Sequence, residues 1–351
     1  KAEKQLFQTN EMGVPLPPPT PEMLEGFKKF VGFMVKKYRD RVDYFEIWNE
    51  EPGGYGGWGK GSPELFTQWV KEVSPIIKKI HPKAKVVMGS LTGLGPSRDL
   101  GLDWLKACFK AGIAPCIDAI GWHGYYGVGP EDKDWLGYAK DVREAKSLAE
   151  SYGFKGEYMH TEWCNFAPYP RDINNMPWVT ELVKAKQMAR FAIANLGLDV
   201  MFFWNETWCD GHIDRDVGLF RNAFSSSPMS ESQPQPIYYT LRTLCTVFED
   251  AHPVRMAVRF SNKEKKIECW TFELPKGDRL VSVSLAGNSA DESPDYPTDI
   301  SFPGATFGKT VAIDVLNGTE QDLIVSGNES STTIRGMLFK DYPVVLRLSD
   351  H

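Results

Sequence analysis

No stretch of the chain approaches the roughly 18 consecutive apolar residues of a membrane span, so no spanning helix is expected. Basic charge is short. The 40 Lys and Arg against 46 Asp and Glu leave a net charge of −6, which argues against a nucleic-acid-binding surface. Cysteine is sparse, with six in 351 residues, and shows neither a C-x-x-C pair nor a Cys/His cluster at zinc spacing. Buried, reduced thiols are therefore the ordinary reading. P-loop and G-x-S-x-G motifs are missing, which sets aside phosphate-cradling and serine-esterase chemistry. The run Gly54-Tyr55-Gly56-Gly57-Trp58-Gly59 fits G-x-G-x-x-G. It stands too far from its strand, however, and no acidic residue ends the next one, so it reads as the rim of a substrate site rather than a dinucleotide fingerprint. The chain starts at Lys1 and KAEKQ is no signal peptide, so its start leaves localisation open. An extracellular or periplasmic setting is favoured.

What is present falls into two regimes. From about Pro21 to Ala251, helical patterns alternate with short apolar runs. Helices are predicted at 21–39, 63–80, 101–112, 136–152, 179–196 and 236–249, and strands at 43–48, 85–89, 117–122, 156–161 and 199–204. Strands alternating with helices argue for βαβ units and a parallel sheet. The strand ends recur every 34 to 42 residues, a spacing that suits an α/β fold of the (β/α)8 TIM-barrel type. The barrel would occupy 1–252. Five strands are clear where a closed barrel needs eight. The N-terminal strands are thus missing from this chain, or another chain completes the barrel, or the sheet is open. From 253 to 351 about seven short strands separated by Gly, Asn, Asp and Pro turns predict an all-β sandwich domain.

In such sheets, chemistry sits where strands end. The ends here carry Trp48-Asn49-Glu50-Glu51-Pro52, His123-Gly124-Tyr125-Tyr126, Glu162-Trp163-Cys164-Asn165 and Trp204-Asn205-Glu206-Thr207-Trp208. Two carboxylates amid aromatics suit glycoside hydrolysis, which needs a proton donor and a nucleophile or base flanking one bond. Trp, Asn, Glu, His and Tyr together suit a sugar, whose ring faces pack on aromatics and whose hydroxyls need fixed polar partners. Any one such Glu can equally be a helix cap or a solvated loop residue. It is the pairing of Glu50 with Glu162 that carries the reading. Glu51 reads as a loop or supporting group. His160, two residues before Glu162, is expected to share its face.

The segments YFEIWNE (44–50), AIGWHGYY (119–126), HTEW (160–163) and FFWNETW (202–208) resemble, in order, the strand-four, -six, -seven and -eight segments of clan A glycoside hydrolases. The wording YFEIWNE and the ending YPVVLRL (342–348) look most like glycoside hydrolase family 39, which includes β-xylosidases and α-L-iduronidases. The resemblance implies a retaining double displacement with Glu50 as acid/base and Glu162 as nucleophile. It gives Asn49 a hydrogen bond to the sugar 2-hydroxyl, places His123 and Tyr125 in the site, and puts Trp204 under the −1 sugar. Trp163 and Glu206 complete the expected substrate-binding set. No metal and no cofactor are implied. The expected partner is an oligosaccharide or glycoside, with no nucleic acid and no membrane. The lack of clustered Lys or Arg at the strand ends favours a neutral sugar. The family's strands one and two have no match here, so the alternative is a carbohydrate-binding relic that no longer turns over. A third option is an unrelated doubly wound enzyme, which would hold Glu50 and Glu162 far apart. A disulfide between Cys164 and Cys209 would tie the strand-seven and strand-eight loops.

Overall fold

The computed structural model describes residues 20–52, 62–94, 101–123, 133–162, 180–202, 218–221, 233–328 and 330–350. The chain divides into two compact units.

The first unit holds helices α1 (Pro21–Tyr38), α2 (Pro63–Ile80), α3 (Gly101–Lys110) and most of α4 (Lys133–Ser151). It also holds strands β1 (Tyr44–Glu46), β2 (Lys85–Leu91), β3 (Ala119–His123), β4 (Glu157–Glu162) and β5 (Met201–Phe202). The helix starts are written in the sequence. Thr20 and Ser62 cap α1 and α2 by accepting from the amides of Met23 (3.2 Å) and Leu65 (3.1 Å), and a proline follows each cap. Along α2, Phe66, Trp69, Val70, Val73 and Ile77 recur at helical spacing and are buried.

The five strands form one parallel sheet in the order β1-β2-β3-β4-β5, as the alternating pattern predicts. Val87, Ala119, Met159 and Met201, one from each of β2 to β5, make an apolar layer on one face. Trp122, Tyr158, His160 and Phe202 lie on the other, where Trp122 donates to the Tyr138 hydroxyl of α4 (3.2 Å).

Two irregularities matter for the site. The β2–β3 register shifts between Met88 and Leu91, so that Gly89 and Ser90 oppose the single Gly121. The β3–β4 register shifts so that Trp122 pairs with His160 and His123 with Glu162, leaving Thr161 unpaired. Both are β-bulges, which re-aim the side chains beyond them.

The second unit contains α5 (Glu181–Gly197), α6 (Pro236–Val247) and the antiparallel strands. Strands β6 (Phe220–Arg221) and β7 (Gln233–Pro234) form a small pair. One larger sheet joins β8 (His252–Pro253), β10 (Ile267–Glu273), β11 (Arg279–Leu285), β13 (Lys309–Asp314), β14 (Glu320–Asp322) and β17 (Val344–Ser349). The other joins β9 (Arg259–Phe260), β12 (Tyr296–Pro303), β15 (Val325–Asn328) and β16 (Ser331–Phe339). Their inward residues share one core, with Val281, Val283, Leu346 and Leu348 from the first and Ile300, Phe302, Ile334 and Phe339 from the second.

The sequence reading omits β12. Pro297 and Pro303 lie inside it, and proline ordinarily demotes a strand. Its inward Thr298, Ile300 and Phe302 nevertheless bury in alternation. Polar residues of α5 are also buried, and two of them have charged partners in this unit. Lys186 reaches Asp341 at 2.9 and 3.2 Å, and Arg190 reaches Glu268 at 2.8 and 3.2 Å.

Candidate active site

The chain leaving β1 does not peel away from the sheet. Ser90 N–H donates to the Trp48 carbonyl (3.1 Å), Glu51 N–H to that of Ser90 (3.0 Å), and Thr92 N–H to that of Glu51 (3.0 Å). Between these anchors Glu50 adopts φ 54°, the left-handed region that costs an L-residue on the order of 1–2 kcal/mol. The peptide bond from Glu51 to Pro52 is cis. The strain at Glu50 accompanies a carboxylate that is only 6% exposed, the kind of outlier that surrounding structure over-determines at functional sites.

His123 ends β3 and is buried. Its Nδ1 lies 3.0 Å from Glu50 Oε1 and 3.4 Å from Glu162 Oε2. Glu162 ends β4, with its side chain 22% exposed. One ligand atom from each of Glu50, His123 and Glu162 lies within 4.8 Å of the others. Glu50 and Glu162, 112 positions apart in sequence, are thereby brought to one imidazole. Two oxygens and one nitrogen also form a donor set able to hold a divalent cation.

The expectation that His160 shares the face of Glu162 is overturned. The bulge at Thr161 breaks the period of two. His160 turns instead against Trp122, Tyr138 and Phe202, at ring separations of 6.5, 6.2 and 5.5 Å. Burial, and then the charge on His123, holds its pKa well below the ordinary value, so it stays neutral in the core. The same bulge puts both Thr161 and Glu162 on the side of His123.

Glu51 is fully buried, and among the described residues its carboxyl oxygens have no hydrogen-bond partner. Burial first, then the charges of Glu46 and Glu50, pushes its pKa well above the carboxylate range. It occupies space that Gly89 leaves open, since a Cβ there would stand 2.2 Å from Glu51 Oε1. Asn49 is exposed beside Glu50. Trp48 packs at ring separations of 5.7 Å from Phe27 and 5.9 Å from Trp69.

Tyr125, Trp163, Trp204 and Glu206 lie outside the described residues, as do Cys164, Cys209 and the Gly54–Gly59 run. Sequence reasoning missed Glu46, Ser90 and Thr161, whose side chains meet one another beneath the site. The available signal was a carboxylate between Phe45 and Ile47 in an otherwise apolar strand.

Neither a known family model nor a curated protein matches the chain by sequence. Solved structures do match by fold. A family 39 glycoside hydrolase from Bacteroides cellulosilyticus WH2 aligns with TM-score 0.62 and 15% identity, over 95% of this chain and 63% of its own. The GH51 arabinofuranosidase from Xanthomonas axonopodis pv. citri aligns with TM-score 0.59 and 11% identity, over 93% of this chain and 73% of its own. The catalytic domain of GH30 xylanase C from Talaromyces cellulolyticus aligns with TM-score 0.59 and 12% identity, over 98% and 71%. The chain spans 63% of the length of the first of these. These structural neighbours are clan A glycoside hydrolases with TIM barrels, and the five-stranded parallel sheet of this chain is a half-barrel of that kind.

Proposed function

We propose that the chain carries the catalytic carboxylates of a retaining glycosidase, with Glu162 as nucleophile and Glu50 as acid/base. The observation that carries this reading is the approach of their oxygens to within 4.8 Å. Retaining enzymes hold their carboxyls about 5–5.5 Å apart, whereas inverting ones leave about 6.5–9.5 Å for a water. Glu162, the more exposed of the pair, attacks the anomeric carbon while Glu50 gives its proton to the leaving oxygen. Water then hydrolyses the glycosyl-enzyme, with Glu50 taking the proton back. His123, hydrogen-bonded to Glu50, orients that carboxyl. Asn49 contacts the 2-hydroxyl, and Tyr125, Trp163, Trp204 and Glu206 line the sugar subsite. The proposal is made for clan A as a whole. The YFEIWNE and YPVVLRL wording favours family 39, but the GH51 and GH30 neighbours are of comparable likeness. A neutral glycoside is the proposed substrate, and the full (β/α)8 barrel with its β-sandwich is the proposed complete fold.

The test is kinetic. On a panel of aryl glycosides, Glu162→Ala and Glu50→Ala should each nearly abolish turnover. Azide should restore it in Glu162→Ala, giving a glycosyl azide of inverted configuration. Turnover unchanged in both variants refutes the reading. The alternative reading is a carbohydrate-binding chain that does not hydrolyse. It predicts heat of binding with a sugar in calorimetry and no aryl release from the native chain.

A further inference from the structure

Glu46 of β1 reaches across the inner face of the half-barrel. Its Oε1 accepts from Ser90 Oγ of β2 and from Thr161 Oγ1 of β4 at 3.3 Å, and these two hydroxyls stand 2.7 Å apart. Strand β3 lies between them, and there Gly121 clears the way. A Cβ at that position would stand 2.8 Å from Glu46 Oε1 and 3.3 Å from Ser90 Oγ. Ser90 and Thr161 are not arbitrary positions. Each sits in one of the two register shifts of the sheet, Ser90 opposite Gly121 and Thr161 between His160 and Glu162. The bulge at Thr161 is what brings Glu162 level with His123, and the bulge at Ser90 precedes the ladder that fixes Glu50 and Glu51. A strand without the extra residue would pair His123 with Thr161 and send Glu162 to the helix side.

We infer that Glu46 is a positioning residue that holds both bulges and so sets where Glu162 stands relative to Glu50. The inference rests on the glycosidase reading for its catalytic consequence, but the pinning itself does not. Glu46 acts through two hydroxyls, one on the residue next to the nucleophile and one on Ser90, whose backbone bonds Trp48 and Glu51 on either side of the acid/base. Misplacing a reacting group by about 1 Å can cost on the order of 100-fold in rate. Binding of the sugar depends on other residues and should change little.

The experiment uses the full chain and four variants, Glu46→Ala, Glu46→Gln, Ser90→Ala and Thr161→Val. The first readout is independent of activity. Amide hydrogen exchange at Thr161 and Glu162 should accelerate at least about tenfold in Glu46→Ala and stay near the parent in Glu46→Gln, whose side-chain oxygen still accepts from both hydroxyls. The second is kcat against KM on the aryl glycoside that the parent turns over fastest. Glu46→Ala should lower kcat about 10- to 100-fold with KM nearly unchanged, and Glu46→Gln should recover most of it. If Glu46→Ala fails to fold, Thr161→Val carries the same two predictions. Parent-like exchange in the alanine and valine variants overturns the inference, as does a rise in KM with kcat intact. If Glu162→Ala keeps its turnover, the glycosidase reading has failed, and the exchange data still decide the pinning.

Discussion

Gly89 offers a direct test of why a carboxyl is buried behind the site. Its φ lies outside the left-handed region, so alanine meets no backbone obstacle there. The obstacle is Glu51, because the new Cβ would stand 2.2 Å from Oε1 and 2.9 Å from both Cδ and Oε2. Glu51 is fully buried, so its carboxyl has no solvent to retreat into. Overpacking of this kind costs about 1–3 kcal/mol, while replacing a strand glycine by alanine otherwise gains about 0.5–1 kcal/mol. The two substitutions are therefore expected to couple. In the parent, Gly89→Ala should destabilise by about 1–2 kcal/mol; in a Glu51→Ala background it should be neutral or stabilising. The assay is hydrogen exchange at the β2 amides, read across a urea series, so that the half-barrel unit is measured apart from the antiparallel one. Equal effects in the two backgrounds, within about 0.5 kcal/mol, would refute the reasoning.

Three further outcomes follow from the same structure. Because burial raises the Glu51 pKa, the native chain holds a proton that the unfolded chain releases above the ordinary value of 4.5. The stability from this group is complete below that pH and is lost as pH rises toward the native pKa. Glu51→Gln should therefore gain on the parent from pH 4.5 upward, by at most about 1.4 kcal/mol per pH unit, in paired urea titrations. Lys186→Met leaves Asp341 buried without its 2.9 Å partner and should destabilise the antiparallel unit by about 3–5 kcal/mol, whereas pairing it with Asp341→Leu should restore most of the loss; unfolding midpoints decide it. Burial pushes the thiols of Cys108 and Cys269 up to about 12, so at pH 8 iodoacetamide should modify the exposed Cys245 before either, as read by peptide mass.

Much of the fold was legible because its periods are clean. The helices read from periodicity at 21–39 and 63–80 match α1 and α2 nearly to the residue, and in the structure each starts on a Thr or Ser cap followed by a proline. The five parallel strands came in the predicted order because each apolar run is separated from the next by a helix long enough for a crossover. Illegible was whatever breaks a period. The strand β12 carries two prolines and still alternates, and no local rule says that its Ile300 and Phe302 will find a second sheet to bury against. Buried polar residues on α5 defeated pattern reading for the same reason. Lys186 and Arg190 look like a solvated face until Asp341 and Glu268, 155 and 78 positions away, supply their partners.

The site shows the same division more sharply. Glu50, His123 and Glu162 could be read from strand ends because a parallel sheet delivers its ends to one rim, whatever the sequence distance. Their mutual geometry could not, because it depends on a single extra residue. Counting by twos from Glu162 gives His160 as its neighbour on the same face, and the count fails at Thr161. A bulge has no strong sequence signature, but it does have a cost, since it leaves a residue out of the ladder. At both bulges the chain supplies a hydroxyl at the extra position and one carboxylate to receive it, and Gly121 on the strand between leaves the path open. A polar residue facing inward in an apolar strand, two hydroxyls on the strands either side of a third and a glycine on that third strand are individually unremarkable. Their coincidence at one level of a parallel sheet marks where the register changes, and here the register change is what turns the second carboxylate toward the first.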